Sequence, residues 1–299
     1  MSGAEGAAAA VVVNYEAGEA LTHCVASLRR AGVGEIVVVD NGSRDGSLAA
    51  LASADRAVRL VPAGANLGYG TAVNRGVAHL GAEVELVLVC NPDLEIAPDA
   101  VRRLVDALRE HPDTAVVGPT VREPDGSRYP STRRFPSYTT ALGHALLGLF
   151  WPDNRWSRAY RSEEAAALPA EAGGTPEVDW VSGACFLVRR SAFFSVGGFD
   201  EAYFMYVEDL DLCWRLRRAG WAVRYVPAAE VTHEQGRSTA RHPYRMIVAH
   251  HRSTWRFARR RSVGIEKALL PLIGVGIVAR AGTALLQRAL RGDPAAASV

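Results

Sequence analysis

Four apolar stretches of the chain each end at short polar side chains: Asn14-Tyr15, Asp40-Asn41, Asn66-Leu67-Gly68 and Asn91-Pro92-Asp93. Each ending offers an amide or carboxylate that can hydrogen-bond a base, a ribose or a metal. Turns use these residue types for backbone reasons alone, which accounts for one such ending more readily than for four in succession. Asp40 and Asp93 form the pair of greatest interest. One carboxylate can accept from a base or ribose while the other holds a hard divalent cation, Mg²⁺ or Mn²⁺, against a diphosphate. Such an ion would neutralise the charge that builds on a leaving nucleoside diphosphate. No GxGxxG follows the first strand and no GxxxxGK(S/T) occurs, so dinucleotide and P-loop chemistry fit poorly.

A second cluster is Glu208-Asp209-Leu210-Asp211, followed by Arg215. On a helix Glu208, Asp211 and Arg215 share a face, and Asp209 points elsewhere. Acids suit the N-terminal end of a helix dipole. That explains one or two of them, not three flanked by Gly197-Gly198-Phe199-Asp200 and the aromatic run Tyr203-Phe204-Met205-Tyr206. Desolvation beside aromatics and other carboxylates raises a carboxyl pKa toward neutrality, as a general base requires. His233 is expected in a loop, after a strand Ala222 to Val226 and a turn at Pro227. Alone it reads as a packing residue; with Asp93 it completes a metal shell.

The elements that must carry these residues alternate from the start. Short strands at Val11–Val13, Glu35–Val39, Ala57–Pro62, Val84–Cys90 and Thr114–Val117 are separated by helical patterns at Ala20–Ala31, up to Ala54, Thr71–Leu80 and Pro98–Glu110. Continuous apolar strands joined by helices of about ten residues indicate an α/β fold, a mostly parallel sheet covered on both faces. In such a sheet ligands bind beyond the carboxyl ends of the strands, where the polar endings lie. Order weakens between Glu123 and Glu177, which hold Arg133-Arg134-Phe135-Pro136 and the aromatics Phe150, Trp151 and Trp156. It returns at Trp180–Arg189 and in a helix from Glu208 to Ala219. The expected division is residues 1–120, 121–236 and a helical tail, 237–299.

Composition narrows the class. The 299 residues are 48% hydrophobic, with 34 basic against 32 acidic side chains, which suits a globular protein and gives no global case for nucleic-acid binding. Cys24, Cys90, Cys185 and Cys213 form no CxxC pair and sit among apolar residues, so buried reduced thiols are expected. The apolar start at Ala7–Val13 lacks a basic flank and ends early at Asn14, a poor signal peptide and a good first strand. A cytoplasmic location is the expectation.

Taken together, Val11-Val12-Val13-Asn14-Tyr15, Val39-Asp40-Asn41-Gly42-Ser43, Asn66-Leu67-Gly68-Tyr69-Gly70 through Asn74, and Asn91-Pro92-Asp93 resemble the family 2 inverting glycosyltransferases. So do Gly183-Ala184, Gly197-Gly198-Phe199-Asp200-Glu201 and Phe204-Met205-Tyr206 leading into Glu208-Asp209-Leu210-Asp211-Leu212. The likeness spans residues 9 to 236, and Arg133–Pro136 is similar to the branch that adds rhamnose to polyprenyl-diphospho-N-acetylglucosamine. It implies a GT-A fold, a dTDP-sugar donor and a lipid-linked sugar acceptor. By resemblance, Asn14, Tyr15, Asp40, Asn41, Asn66, Gly68, Asn74 and Asn91 would hold the nucleotide sugar. Asp93 and His233 would ligate the metal, with Asn91 where the family's DxD motif has its first Asp. Asp209 would be the base, supported by Glu208 and Asp211, and Gly183, Ala184, Phe204, Glu208 and Arg215 would meet the acceptor.

The tail suits a lipid-linked acceptor. Nine fixed cations lie between Arg237 and Lys267 against the single acid Glu266, and an apolar run follows from Ala268. The cations would attract an anionic leaflet, giving peripheral attachment to the inner face of the cell membrane. Arg280 interrupts the apolar run, so an interfacial segment is expected rather than a straight spanning helix. The alternative is packing on the domain or on a second subunit in a homodimer. Competing readings of the whole chain are a donor such as UDP-galactofuranose or UDP-N-acetylglucosamine, a nucleotidyltransferase, or a non-catalytic sugar-nucleotide-binding subunit. The nucleotidyltransferase lacks its Gly-rich basic loop at Asn14–Gly18, and a non-catalytic subunit has no need of an acid pair.

Overall fold

A computed structural model describes residues 8–135, 137, 140, 143, 151, 153–158, 174–233 and 243–291. The aromatic candidate Phe150, and Pro136 and Arg237, lie outside the described residues. The first strand, β1 (Ala8–Asn14), is buried along its whole length, as an apolar run without alternation must be when both faces are covered. After α1 (Ala20–Arg30), β2 (Ile36–Asp40), α2 (Ser47–Ala54), β3 (Arg59–Pro62), α3 (Tyr69–Ala78) and β4 (Leu86–Cys90), the chain enters a short β5 (Leu94–Ile96) and α4 (Ala100–Glu110). Next come β6 (Thr114–Arg122), β7 (Arg128–Tyr129), β8 (Thr132–Arg133), β9 (Trp180–Val181), β10 (Cys185–Arg189) and α5 (Arg190–Ser195). The unit closes with α6 (Glu208–Arg218) and β11 (Ala222–His233).

The main sheet has the order β3-β2-β1-β4-β10-β6-β11-β5, with β7 on β6, while β8 and β9 form a separate pair. Strands β1 to β4 are mutually parallel, and β10 runs antiparallel between β4 and β6. Strands β6 and β11 resume the first direction, so the sheet is mostly parallel, as expected. Alternate side chains feed two cores: Ala10, Val12 and Val38 pack with α1, α2 and α4, whereas Val11, Val37 and Val39 pack with α3, α5 and α6.

Two boundaries differ from expectation. The last strand does not stop at Val226; it runs on to His233 through an irregularity between Val226 and Glu230. Pro227 sits at that bulge, where no ladder N–H is needed, so it interrupts register without ending the strand. His233 is therefore a strand end, not a loop residue. The partner β6 extends to Arg122 for the same reason, since Thr232 pairs with Arg122. All four cysteines are free and buried.

The residues cluster into two compact units. The first holds the sheet, and the second comprises 136–165, Met205–Val207 and 239–299. In the second unit α7 (Pro243–Arg261) packs on α8 (Leu270–Arg291), with a 3₁₀ segment, Gly264–Leu269, between them. Gly264–Leu290 is long and apolar enough, by length and composition, to cross a membrane. Arginine is a good helix former, so Arg280 adds a charge without breaking the helix. Val275 and Val278 are 65% and 72% exposed, and Trp151 is exposed as well.

Candidate active site

Strand register joins the first polar endings. Asn14 and Asp40 are partners across β1 and β2. The buried Asn14 amide donates to Asp40 Oδ1 at 2.8 Å and lies 3.1 and 2.9 Å from the Ser43 and Ser47 hydroxyls. The backbone N–H groups of Gly42 and Ser43 donate to Asp40 Oδ2. A carboxylate offers about four acceptor directions, so holding this turn uses most of Asp40. Asn41 donates its amide to the Gly68 carbonyl at 3.2 Å. The Oδ1 atoms of Asn14 and Asn41 are both buried without a protein partner. Tyr15 follows, half-buried.

The Asn66–Gly68 turn is built for close approach. Asn66 Oδ1 accepts the Gly68 N–H at 3.1 Å. Gly68 has φ +88°, and a Cβ there would lie 2.3 Å from the Phe204 carbonyl oxygen. That oxygen accepts the Tyr69 N–H at 3.1 Å. Phe204 thus acts through its main chain.

Asn74 ties α3 to the Gly197–Glu201 turn. Its amide nitrogen donates to the Phe199 carbonyl and to Glu201, and its Oδ1 accepts the Phe199 N–H. Both ends of the amide are spent on fastening α3 to the Gly197–Glu201 turn.

Asp93 and His233 meet as expected. Because β11 runs antiparallel to β5, His233 pairs with Leu94, next to Asp93. The Nε2 atom lies 3.0 Å from Asp93 Oδ1, with the side chains only 11% and 13% exposed. Asn91 Nδ2 is 3.4 Å from the same nitrogen, and His233 Nδ1 is buried without a partner. Among the described residues no group of three or more His, Cys, Asp or Glu side chains could hold a metal alone. One carboxylate and one imidazole on a partly open site fit a divalent cation whose remaining ligands are phosphate and water oxygens.

The loop Ser182–Ala184 ties this region to the acid pair. The Ala184 carbonyl accepts the Asn91 N–H at 2.9 Å, and the Gly183 carbonyl accepts the Tyr69 hydroxyl at 2.6 Å. The Gly183 N–H donates to Asp209 Oδ2 at 2.7 Å, while the Leu210 N–H donates to Oδ1 at 2.8 Å. Glu208 is buried, and its Oε2 has no hydrogen-bond partner. Burial, reinforced by the Asp209 charge, pushes the Glu208 carboxyl up to about 8. Burial also raises Asp209, against the two N–H donors and the Arg133 charge, which pull it down. The pair thus resists carrying two negative charges, and half-buried Asp209 is the more reachable carboxylate.

Two expected participants turn out to be internal. Fully buried Asp211 accepts from Arg215 Nε at 2.7 Å and from the Tyr203 hydroxyl at 3.3 Å. Arg215 also donates to the Val196 carbonyl at 2.6 Å. This ion pair, with side chains 13% and 0% exposed, ties α6 to the turn that precedes it. The shared face read from spacing is real, but it is the face that packs inward. Conversely, Arg133 had no assigned role in the sequence. Its guanidinium lies over the Tyr129 and Trp180 rings at 5.9 and 5.4 Å. The only available signal was its place in the Arg133–Pro136 motif.

Comparison with known proteins bears on this arrangement. Residues 9–194 match the family described as glycosyl transferase family 2. The chain is 46% identical over 271 residues to the N-acetylglucosaminyl-diphospho-decaprenol L-rhamnosyltransferase of Mycobacterium tuberculosis, covering 87% of this chain and 86% of that one. It is 29% identical over 206 residues to the rhamnosyltransferase WbbL of Escherichia coli, covering 66% and 72%. A Pyrobaculum calidifontis mannosyltransferase solved with GDP-mannose and Mn²⁺ superposes with a TM-score of 0.56 at 18% identity, over 98% of this chain and 77% of that one. Staphylococcus aureus TarS in complex with UDP superposes with a TM-score of 0.57 at 14% identity, over 91% and 71%. These last two show the fold.

Proposed function

The chain belongs to glycosyl transferase family 2, is an inverting glycosyltransferase of GT-A fold, and, we propose, moves L-rhamnose from dTDP-rhamnose to a polyprenyl-diphospho-N-acetylglucosamine. The observation that carries the mechanism is Asp209, half-buried, held by the Gly183 N–H and adjacent to the buried Glu208, whose carboxyl is pushed up by burial. Asp209 takes the proton from an acceptor hydroxyl, and that oxygen attacks the anomeric carbon in line with the departing diphosphate. One base and no covalent intermediate suffice, and the anomeric configuration inverts. Burial disfavours the charged form of Glu208, and so a second negative charge beside the base.

On the donor side, the buried Oδ1 atoms of Asn14 and Asn41, which have no protein partner, are the acceptors a nucleoside N–H or hydroxyl would use, and Asp40 keeps the turn that holds them. Asp93 and His233, with Asn91 beside them, would hold a divalent cation, Mg²⁺ or Mn²⁺. When bound, that ion supplies positive charge against the leaving diphosphate. The sugar and lipid assignments rest on the mycobacterial relative's substrate. The basic and apolar tail supports a place on the cytoplasmic membrane surface, where such an acceptor lies.

A donor panel tests this reading: purified protein, Mg²⁺ and a prenyl-diphospho-N-acetylglucosamine acceptor, with release of nucleoside diphosphate followed. Turnover with dTDP-rhamnose alone is the expected result. Turnover with a UDP-sugar instead would keep the mechanism and overturn the donor.

A further inference from the structure

The three residues before the acid pair, Met205–Val207, cluster with the tail in the second unit, whereas Phe204 and Glu208 on either side belong to the first. Within this link Tyr206 and Val207 both adopt left-handed backbone, at φ +67° and +69°. Few non-glycine residues do so, and a β-branched valine is among the least suited. Such a conformation persists only where its surroundings hold it.

In the second unit those surroundings come from one face of α7. Ser253, 5% exposed, donates its hydroxyl to the Met205 carbonyl at 2.9 Å. One turn earlier on the same face, the His250 ring meets Tyr206 edge-on at 5.6 Å between centroids. At the other end of the link, the Phe204 carbonyl is held by the Tyr69 N–H. The residue that follows the link is Glu208, the first of α6, whose Oε2 has no hydrogen bond to orient it. The start of the catalytic helix thus depends on a strained link that both of its neighbours grip.

We propose that Ser253 and His250 are positioning residues for the reaction: they hold the Met205–Val207 link and so set where Asp209 is presented to the acceptor. Neither touches the reacting atoms. The role rests on the assignment of Asp209 as base, and it gives the basic tail a task in turnover beyond attachment to a lipid surface.

The test uses the full chain with Ser253→Ala, Ser253→Thr, His250→Ala and His250→Phe. It reads kcat, acceptor KM, donor Kd and amide hydrogen exchange over Tyr206–Leu210. Small misplacements of a catalytic group are costly, so each alanine variant is expected to lose about tenfold or more in kcat. Donor Kd should stay within about twofold of the parent's, with faster exchange in the link. Ser253→Thr keeps the hydroxyl and His250→Phe keeps the ring, and each should recover most of the loss. Normal kcat and unchanged exchange in both alanine variants would overturn the proposal. So would conservative variants no better than alanine, or a parallel loss of donor binding. Should the parent chain turn over no donor, the substrate reading fails separately, and exchange in the link then decides alone: acceleration supports the grip and no change refutes it.

Discussion

Asp93–His233 and Glu208–Asp209 are both pairs of titratable groups, yet they are built in opposite ways. The first joins residues 140 apart in sequence, contributed by the ends of different strands, at 3.0 Å. Each member has the other as a polar partner. The second joins sequence neighbours, one of them with an oxygen that nothing bonds. The first pair suits the addition of a cation. The second suits the retention of one proton, because two buried carboxylates side by side resist carrying two charges. In the proposed reaction the two pairs would serve two halves of the transfer, with leaving-group charge handled at one and proton removal at the other.

Substitutions test this contrast. The largest effect is expected from Asp209→Asn, which should lower kcat by roughly 10²–10⁴-fold while calorimetry shows donor binding unchanged. Near-normal turnover would remove Asp209 as the base. Asp93→Ala should act on the other half: metal affinity in the presence of nucleoside diphosphate falls, and chelation abolishes parent activity. A parent enzyme indifferent to chelator would break the assignment of that pair.

Glu208→Gln separates the pairs by pH. The Glu208 carboxyl is raised from 4.5 to about 8 in the folded chain. The folded state thus binds the extra proton between those values, and its contribution to stability is present below pH 4.5 and lost progressively as pH rises toward 8. Melting curves should show the parent destabilised over that window and the glutamine variant less so. Identical pH profiles would mean that Glu208 is not buried as a protonated acid. The smallest effect is expected from Arg133→Gln, which removes a charge that lowers Asp209. The acid limb of the kcat profile should move to higher pH; a shift the other way would contradict the sign of that interaction.

Much of this was legible in order along the chain. Continuous buried strands ending in Asn14, Asp40 and Asn91 announce themselves, because burial on both faces demands an unbroken apolar run and the turn that follows demands a short polar side chain. The acid run of α6 is equally local, and its shared face follows from helical spacing alone. Spacing could not say which way that face turns: Asp211 and Arg215 face inward and neutralise each other. Nor could it show that Asn74 serves the Gly197–Glu201 turn, a partner 125 residues away. The three-residue β5 carries too little pattern to be read, yet its pairing with β11 is what brings His233 to Asp93.

Which groups are present, and which elements end in them, follows from the order of residues along the chain, since strand and helix patterns arise from neighbours a few residues apart. Only the tertiary structure decided which of those groups are consumed by the fold and which remain open. A hydrogen bond or charge is satisfied by whatever lies within about 3 Å, and here those partners arrive through long-range strand pairing: β10 between β4 and β6, and β11 beside β5.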